Sequence, residues 1–145
     1  MKPKIYGTDR LDEHTGDGTA ALIGDVWPDF AGLFHREMTV YQAHRDVFEP
    51  HFALAETAGK IIGFSLVMES MMTTDLLTIT WVAVHPEHRR QGIGRDLIGL
   101  CRDEARRRAK PLVLTTSVPE FYRTLGFRIV GEYDPARNHF LMAMA

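Results

Sequence analysis

Three arginines, a glutamine and two glycines crowd into one short run, Arg89-Arg90-Gln91-Gly92-Ile93-Gly94-Arg95. A strand-like stretch ending Val82-Ala83-Val84-His85-Pro86 leads into it, and a strongly helical stretch follows. This combination predicts an anion site. N–H groups at a helix start have no acceptor inside the helix, and the helix dipole adds positive potential there. Glycines let an anion approach the backbone closely. Guanidinium groups add charge-assisted hydrogen bonds. A phosphate or pyrophosphate suits all three features. A Walker loop would need Gly-Lys followed by Ser or Thr, which this chain lacks. A dinucleotide fingerprint would need a third glycine where Leu97 stands. The nearby His85, Glu87 and His88 lack the His-Glu-x-x-His spacing, so no metal is expected.

A second segment follows this run, Glu120-Phe121-Tyr122-Arg123-Thr124-Leu125-Gly126-Phe127. Arg89-x-x-Gly92-x-Gly94 after its strand resembles motif A of the GCN5-related N-acetyltransferase (GNAT) superfamily, and the second segment resembles motif B. Both occur in the family's order, and the coarse element order from residue 4 to 145 is similar too.

The resemblance implies one N-acetyltransferase domain over residues 1–145, with acetyl-CoA as co-substrate and an amine as acceptor. It implies a mixed α/β fold of three layers, α/β/α, whose mostly antiparallel sheet is splayed at the acyl-CoA slot. Backbone groups of Val82, Ala83 and Val84 would line the pantetheine arm like an added strand. The amides of Arg89, Arg90, Gln91, Gly92, Ile93, Gly94 and Arg95 would hold the pyrophosphate. The family often has an Asn after its fifth strand. Here Thr116, Ser117 and Val118 stand in that stretch, so either a hydroxyl substitutes, with Ser117 the candidate, or the contact is absent. Tyr122 would lie near the coenzyme sulfur. A homodimer is common in the family.

Acetyl transfer to an amine sets further demands. A lysine-like amine is neutral in only about one molecule in a few thousand at pH 7, so a general base or a desolvated site is needed. The tetrahedral oxyanion needs a donor, which a free strand N–H near Val82 would supply. The departing thiolate benefits from a proton, and the phenol of Tyr122 is the candidate acid. Some family members carry a base Glu where this chain has Thr78. Glu69, His51, or a water held by Thr78 or Thr80 are the substitutes. The missing Glu leaves a second reading open, an acyl-CoA-binding sensor or regulatory module without turnover.

The elements that must position these residues follow from periodicity. Strands are expected at 4–9, 51–56, 60–69, 76–84, 111–117, 127–133 and 139–145. Within 76–84, Ile79, Trp81 and Ala83 should share one face, and Thr78, Thr80, Val82 and Val84 the other. Helices are expected at 19–27, capped by Asp17 or Thr19, and at 34–44, 92–109 and 120–125. Glu13 to Gly18 reads as a polar, Gly-rich loop. Asp103 with Arg107, and Glu104 with Arg108, are i,i+4 pairs expected on the wet face of the long helix.

Composition bounds the rest. The chain has 145 residues, 45% hydrophobic and 25% charged, the balance of a soluble globular domain. Net charge is -2, which argues against a nucleic-acid partner. Eleven of the seventeen Lys and Arg nevertheless lie from Arg89 onward, where the anion site is expected. No apolar run is long enough to span a membrane, and Met1 to Tyr6 is unlike a signal peptide, so a cytoplasmic protein is expected. The single cysteine, Cys101, excludes an intrachain disulfide and sits on the apolar side of its helix as a small buried hydrophobe.

Overall fold

The computed structural model describes residues 2–144. Seven strands form one sheet: β1 (Lys4–Thr8), β2 (His51–Thr57), β3 (Lys60–Glu69), β4 (Leu77–Val84), β5 (Leu112–Thr116), β6 (Arg128–Asp134) and β7 (His139–Met144). Their order is β1-β2-β3-β4-β5-β7-β6. Every pairing is antiparallel except β4 with β5. The expected last strand ended at Ala145, which lies outside the described residues.

Helices cover both faces, giving the expected three layers. Helix α1 (Glu13–Val26) and helix α2 (Ala31–Ala43), followed by the single turn α3 (Arg45–Phe48), lie on one face. There Leu22, Ile23, Phe34, Met38 and Tyr41 meet Phe52, Leu54, Phe64 and Leu66. Helix α4 (Ile93–Arg108) covers the other face with Ile93, Leu97, Ile98, Cys101 and Ala105 against Ala53, Ala55, Ile62 and Val67. Burial on both faces explains why β2 and β3 read as nearly continuous apolar runs rather than alternating ones. Three of the sheet residues under α4, Ala53, Ala55 and Gly63, are small. A Cβ added at Gly63 would stand 3.0 Å from Ile93 and Leu97, so glycine there lets α4 pack close. Cys101 is fully buried and points its S–H at Ser65 Oγ, 3.7 Å away. Burial pushes its thiol up to about 12, which keeps it unreactive at neutral pH.

Two sequence expectations fail for physical reasons. Glu13 to Gly18 is not a loop but the first half of α1. Asp12, rather than Asp17 or Thr19, is the cap. Its Oδ1 accepts from Thr15 N–H at 2.8 Å, and Thr15 Oγ1 accepts from Asp12 N–H at 2.8 Å. Gly18 serves packing rather than a turn, because a Cβ there would lie 2.6 Å from Ile61 Cγ1. The long helix departs from the wet-face pairing as well. Glu104 and Arg108 do bond, Arg108 Nε to Glu104 Oε2 at 2.6 Å, but both are largely buried, with Glu104 only 7% exposed. Arg107 turns to Glu104 and leaves Asp103 to Arg106, 3.9 Å away.

Burial alone would raise the Glu104 carboxyl, yet the bonds from Arg107 and Arg108 outweigh it and hold the group below the usual carboxylate range. A lowered folded-state value means the stabilisation is present above the unfolded pKa and is lost as pH falls through the folded one. Glu104→Gln should therefore lower the unfolding free energy by about 2 kcal/mol at neutral pH, because the largely buried Arg108 loses its nearest carboxylate and keeps only Glu69 at 3.7 Å and Glu49 at 3.9 Å. Urea melts should show that deficit shrinking below about pH 4. Equal midpoints for the two proteins at pH 7 would refute it.

Candidate active site

Strand β4 is irregular at its centre. Its register against β3 runs Phe64 to Ala83 and then Leu66 to Thr80, so Trp81 and Val82 together oppose Ser65. This is a β-bulge, and Trp81 takes it up with φ at 58°. A left-handed tryptophan costs about 1–2 kcal/mol. Side-chain packing holds it there. The indole lies 6.0 Å from Trp27 and edge-on to Phe34 at 5.1 Å.

The bulge also overturns the expected alternation. Ile79 faces α4, but past the bulge Trp81 and Ala83 face α1 and α2 while Val82 and Val84 join the α4 side. Beyond Thr78 the strand loses its other neighbour, because β4 and β5 pair only at Leu77 with Leu112 and Thr78 with Val113. From Ile79 to Val84 the β4 edge facing β5 has no strand partner among the described residues. Such an edge can take an extended ligand as an added strand.

The open edge leads into a cleft of about 870 Å³. Val82, Ala83, Val84, Arg89, Arg90, Gln91, Gly92, Ile93, Gly94, Arg95 and Ser117 all line it, as does Tyr122. The first bond of α4 is Asp96 N–H to Gly92 C=O at 3.0 Å, so the amides of Ile93, Gly94 and Arg95 have no intrahelical acceptor. Gly92 is the cap residue at φ 80° and offers no side-chain cap. A Cβ at Gly92 would sit 3.2 Å from the Arg95 guanidinium, and one at Gly94 would sit 3.3 Å from the Phe121 ring. Bare amides, absent side chains and neighbouring guanidinium groups fit a diphosphate. Arg89 is partly committed, since its Nε donates to Val84 O at 3.0 Å.

Across the cleft, helix α5 (Pro119–Arg123) presents Tyr122. Its ring is wedged between Phe121 at 4.9 Å and Phe127 at 5.7 Å. It is 6% exposed, and no protein hydrogen bond to its hydroxyl is present among the described residues. Burial pushes its pKa above the ordinary phenol value, with the nearby Cys101 adding to the effect, so it carries its proton at neutral pH. Thr116 and Ser117 divide the hydroxyl work at the turn before α5. Thr116 Oγ1 accepts from Val118 N–H at 2.9 Å, and Ser117 lines the cleft.

The base candidates are not brought to this cleft. Glu69 opposes Leu77, five residues before Val82, which puts it roughly 16 Å down the strand. Both of its oxygens accept from Lys110 Nζ at 2.8 Å, and Arg108 stands 3.7 Å away. It is a counter-ion at the far end of the sheet, which corrects its assignment as base. Thr78 faces the α1 and α2 layer opposite Met68, outside the cleft lining. His51 is held by Asp9 at 2.9 Å, with Glu104 3.9 Å away.

A residue that sequence reading passed over stands closer to the bulge. Glu37 Oε1 accepts from Trp81 Nε1 at 3.3 Å and from Tyr41 Oη at 2.7 Å. Its signal was its spacing. Residues 34, 37, 38 and 41 form one helical stripe, so a carboxylate sits beside the buried face of α2. Among the described residues, no group of three or more His, Cys, Asp or Glu side chains could hold a metal ion, and no helix is long and apolar enough to cross a membrane.

Solved structures share this fold. The chain superposes on an acyl-CoA N-acyltransferase from Pseudomonas aeruginosa at a TM-score of 0.76 and 18% identity, covering 99% of this chain and 100% of that one. It superposes on the aminoglycoside 6'-N-acetyltransferase from Enterococcus faecium at 0.79 and 19%, covering 97% and 96%. An aminoglycoside 6'-N-acetyltransferase complexed with coenzyme A gives 0.77 and 19%, covering 97% and 96%. At these identities the likeness is one of fold. No curated protein matches the sequence. The family model of the acetyltransferase (GNAT) domain matches residues 49–129, more than half of the 145-residue chain. That match spans the bulged strand, the bare helix start and the Tyr122 helix alike, and on it the chain belongs to the GNAT acetyltransferase family.

Proposed function

We propose that the protein transfers an acetyl group from acetyl-CoA to a primary amine by direct attack in a ternary complex. The observation that carries this reading is the unpartnered β4 edge running into the bare amides of α4. Backbone groups of Val82 and Val84 bind the pantetheine arm as an added strand. Amides from Arg90 to Arg95, with the arginine side chains, hold the pyrophosphate. The amide of Val82, beside the bulge, donates to the carbonyl oxygen as it gains negative charge. The neutral amine nitrogen forms its bond to the acyl carbon and loses a proton to solvent, the carbon–sulfur bond breaks, Tyr122 gives its proton to the departing thiolate, and solvent returns a proton to the phenolate.

Calorimetry of the purified protein with coenzyme A, followed by thiol release from acetyl-CoA with a panel of amines, tests this. Saturable binding and amine-dependent thiol release are expected. No uptake of coenzyme A at millimolar concentration would overturn the proposal. Binding without release under any amine would favour a sensor module instead.

A further inference from the structure

Among the described residues, every buried or half-buried carboxylate has a cationic or histidine neighbour, except one. Among the described residues, Glu69 has Lys110 at 2.8 Å, Glu104 has Arg108 at 2.6 Å, Glu56 has His14 at 3.1 Å and Asp134 has Arg137 at 3.6 Å. Glu37 is half-buried and, among the described residues, has no Lys, Arg or His within 4.0 Å. Its neighbours are neutral donors, the Tyr41 hydroxyl and the Trp81 indole, and both bind the same oxygen, Oε1. The second oxygen has no protein donor among the described residues. A partly desolvated carboxylate without a counter-charge is costly, and a cation brought to it is correspondingly favoured.

What surrounds Glu37 suits a cation too. Trp81, whose indole reaches Glu37, lies beside Trp27 at 6.0 Å and is backed by the buried Phe34 at 5.1 Å. Faces of aromatic rings attract ammonium groups. The location ties this to the reaction. Trp81 is the bulged residue of β4, so its backbone lies where the acyl group would rest and its indole reaches out to Glu37. Glu37 sits on the α1 and α2 face, while Tyr122 and Ile93 pack with the α4 face. Trp81 Nε1 stands 3.3 Å from Glu37 Oε1, so the whole indole separates the carboxylate from the bulged backbone of β4. That separation is too long for Glu37 to touch the reacting nitrogen and suits a second charge on the same molecule.

Building on the acetyl-transfer reading, we propose that the acceptor is an amine carrying a second cationic group, and that Glu37 Oε2 receives that group while the first nitrogen attacks the thioester. Trp81 is a positioning residue in this scheme. Its indole N–H holds the carboxylate in register with the bulge.

The test compares 1,4-diaminobutane with butylamine, in the wild type and in Glu37→Gln. Glutamine keeps an oxygen for Tyr41 and Trp81 and removes only the charge, and an unchanged thermal midpoint checks that the fold persists. In the wild type, kcat/KM for the diamine should exceed that for the monoamine by about tenfold or more, the worth of one charge-assisted contact. In Glu37→Gln that ratio should fall to near one. Calorimetry of 1,4-diaminobutane with the coenzyme A-saturated protein gives a readout independent of turnover, and Glu37→Gln should weaken that binding about tenfold. A ratio unaltered by the substitution, or diamine binding that is absent or insensitive to it, would overturn the inference. Absence of turnover with both amines, alongside Glu37-dependent diamine binding, would instead sink the transfer reading and leave this cation subsite standing.

Discussion

Tyr122→Phe should lower kcat for acetyl transfer by about 10²–10⁴-fold while leaving coenzyme affinity nearly unchanged, the span typical of losing a positioned general acid. The substitution removes one oxygen from a ring whose packing against Phe121 and Phe127 is otherwise kept. The hydroxyl gives up no protein hydrogen bond in the process, so stability should hold within about 0.5 kcal/mol. A residue that served packing alone would give neither a large kinetic loss nor a selective one. Burial raises the phenol's pKa, so it remains a proton donor through the neutral range, and the loss should be of similar size on both sides of pH 7. Stopped thiol-release assays with saturating acetyl-CoA and amine measure kcat directly. A variant within threefold of the wild type would show that the thiolate leaves without this proton.

Some parts of this protein could be read from residue types because chemistry fixed them. A diphosphate site needs bare amides, absent side chains and guanidinium groups, and only one run of the chain supplies all three. The eleven residues proposed to meet the coenzyme line a single cleft. The strands and the long helix followed from apolar period, since a two-sided sheet and a one-sided helix leave different patterns.

Other parts were hidden because tertiary packing decided them. Nothing in Thr80-Trp81-Val82 marks a left-handed tryptophan, and a single inserted residue there reversed every facing assignment after it. Glycines that read as a loop at Gly16 and Gly18 belong to a helix, because Ile61 leaves no room for a Cβ at the second of them. Glu69 looked close to the chemistry because it ends the strand before β4. Antiparallel pairing places the end of β3 beside the start of β4, so the two ends nearest in sequence lie farthest from the arginine turn. Glu37 was passed over for the opposite reason. It is distant in sequence from both motifs, and only the packing of α2 against Trp81 brings it near the bulge.

Gly94→Glu should abolish coenzyme binding in the accessible range while leaving a folded protein. Gly94 is the second residue of α4 and lines the cleft. Its amide is one of the three without an intrahelical acceptor. A carboxylate there faces the phosphates directly, and like charges forced together cost several kcal/mol, about a 100-fold or greater rise in the coenzyme A dissociation constant. The fold should tolerate it, because an acidic side chain in the first turn complements the helix dipole. Steric crowding is the competing cause, since a Cβ at this position meets the Phe121 ring at 3.3 Å. Gly94→Ala isolates that term, and the ring needs to move only a few tenths of an ångström to admit a methyl. The alanine variant should therefore bind within about tenfold of the wild type. If charge is what matters, raising the salt concentration should recover part of the glutamate variant's affinity and none of the alanine variant's. Equal losses in both variants would mean that space beside Phe121, rather than the field at the helix start, governs the coenzyme's grip.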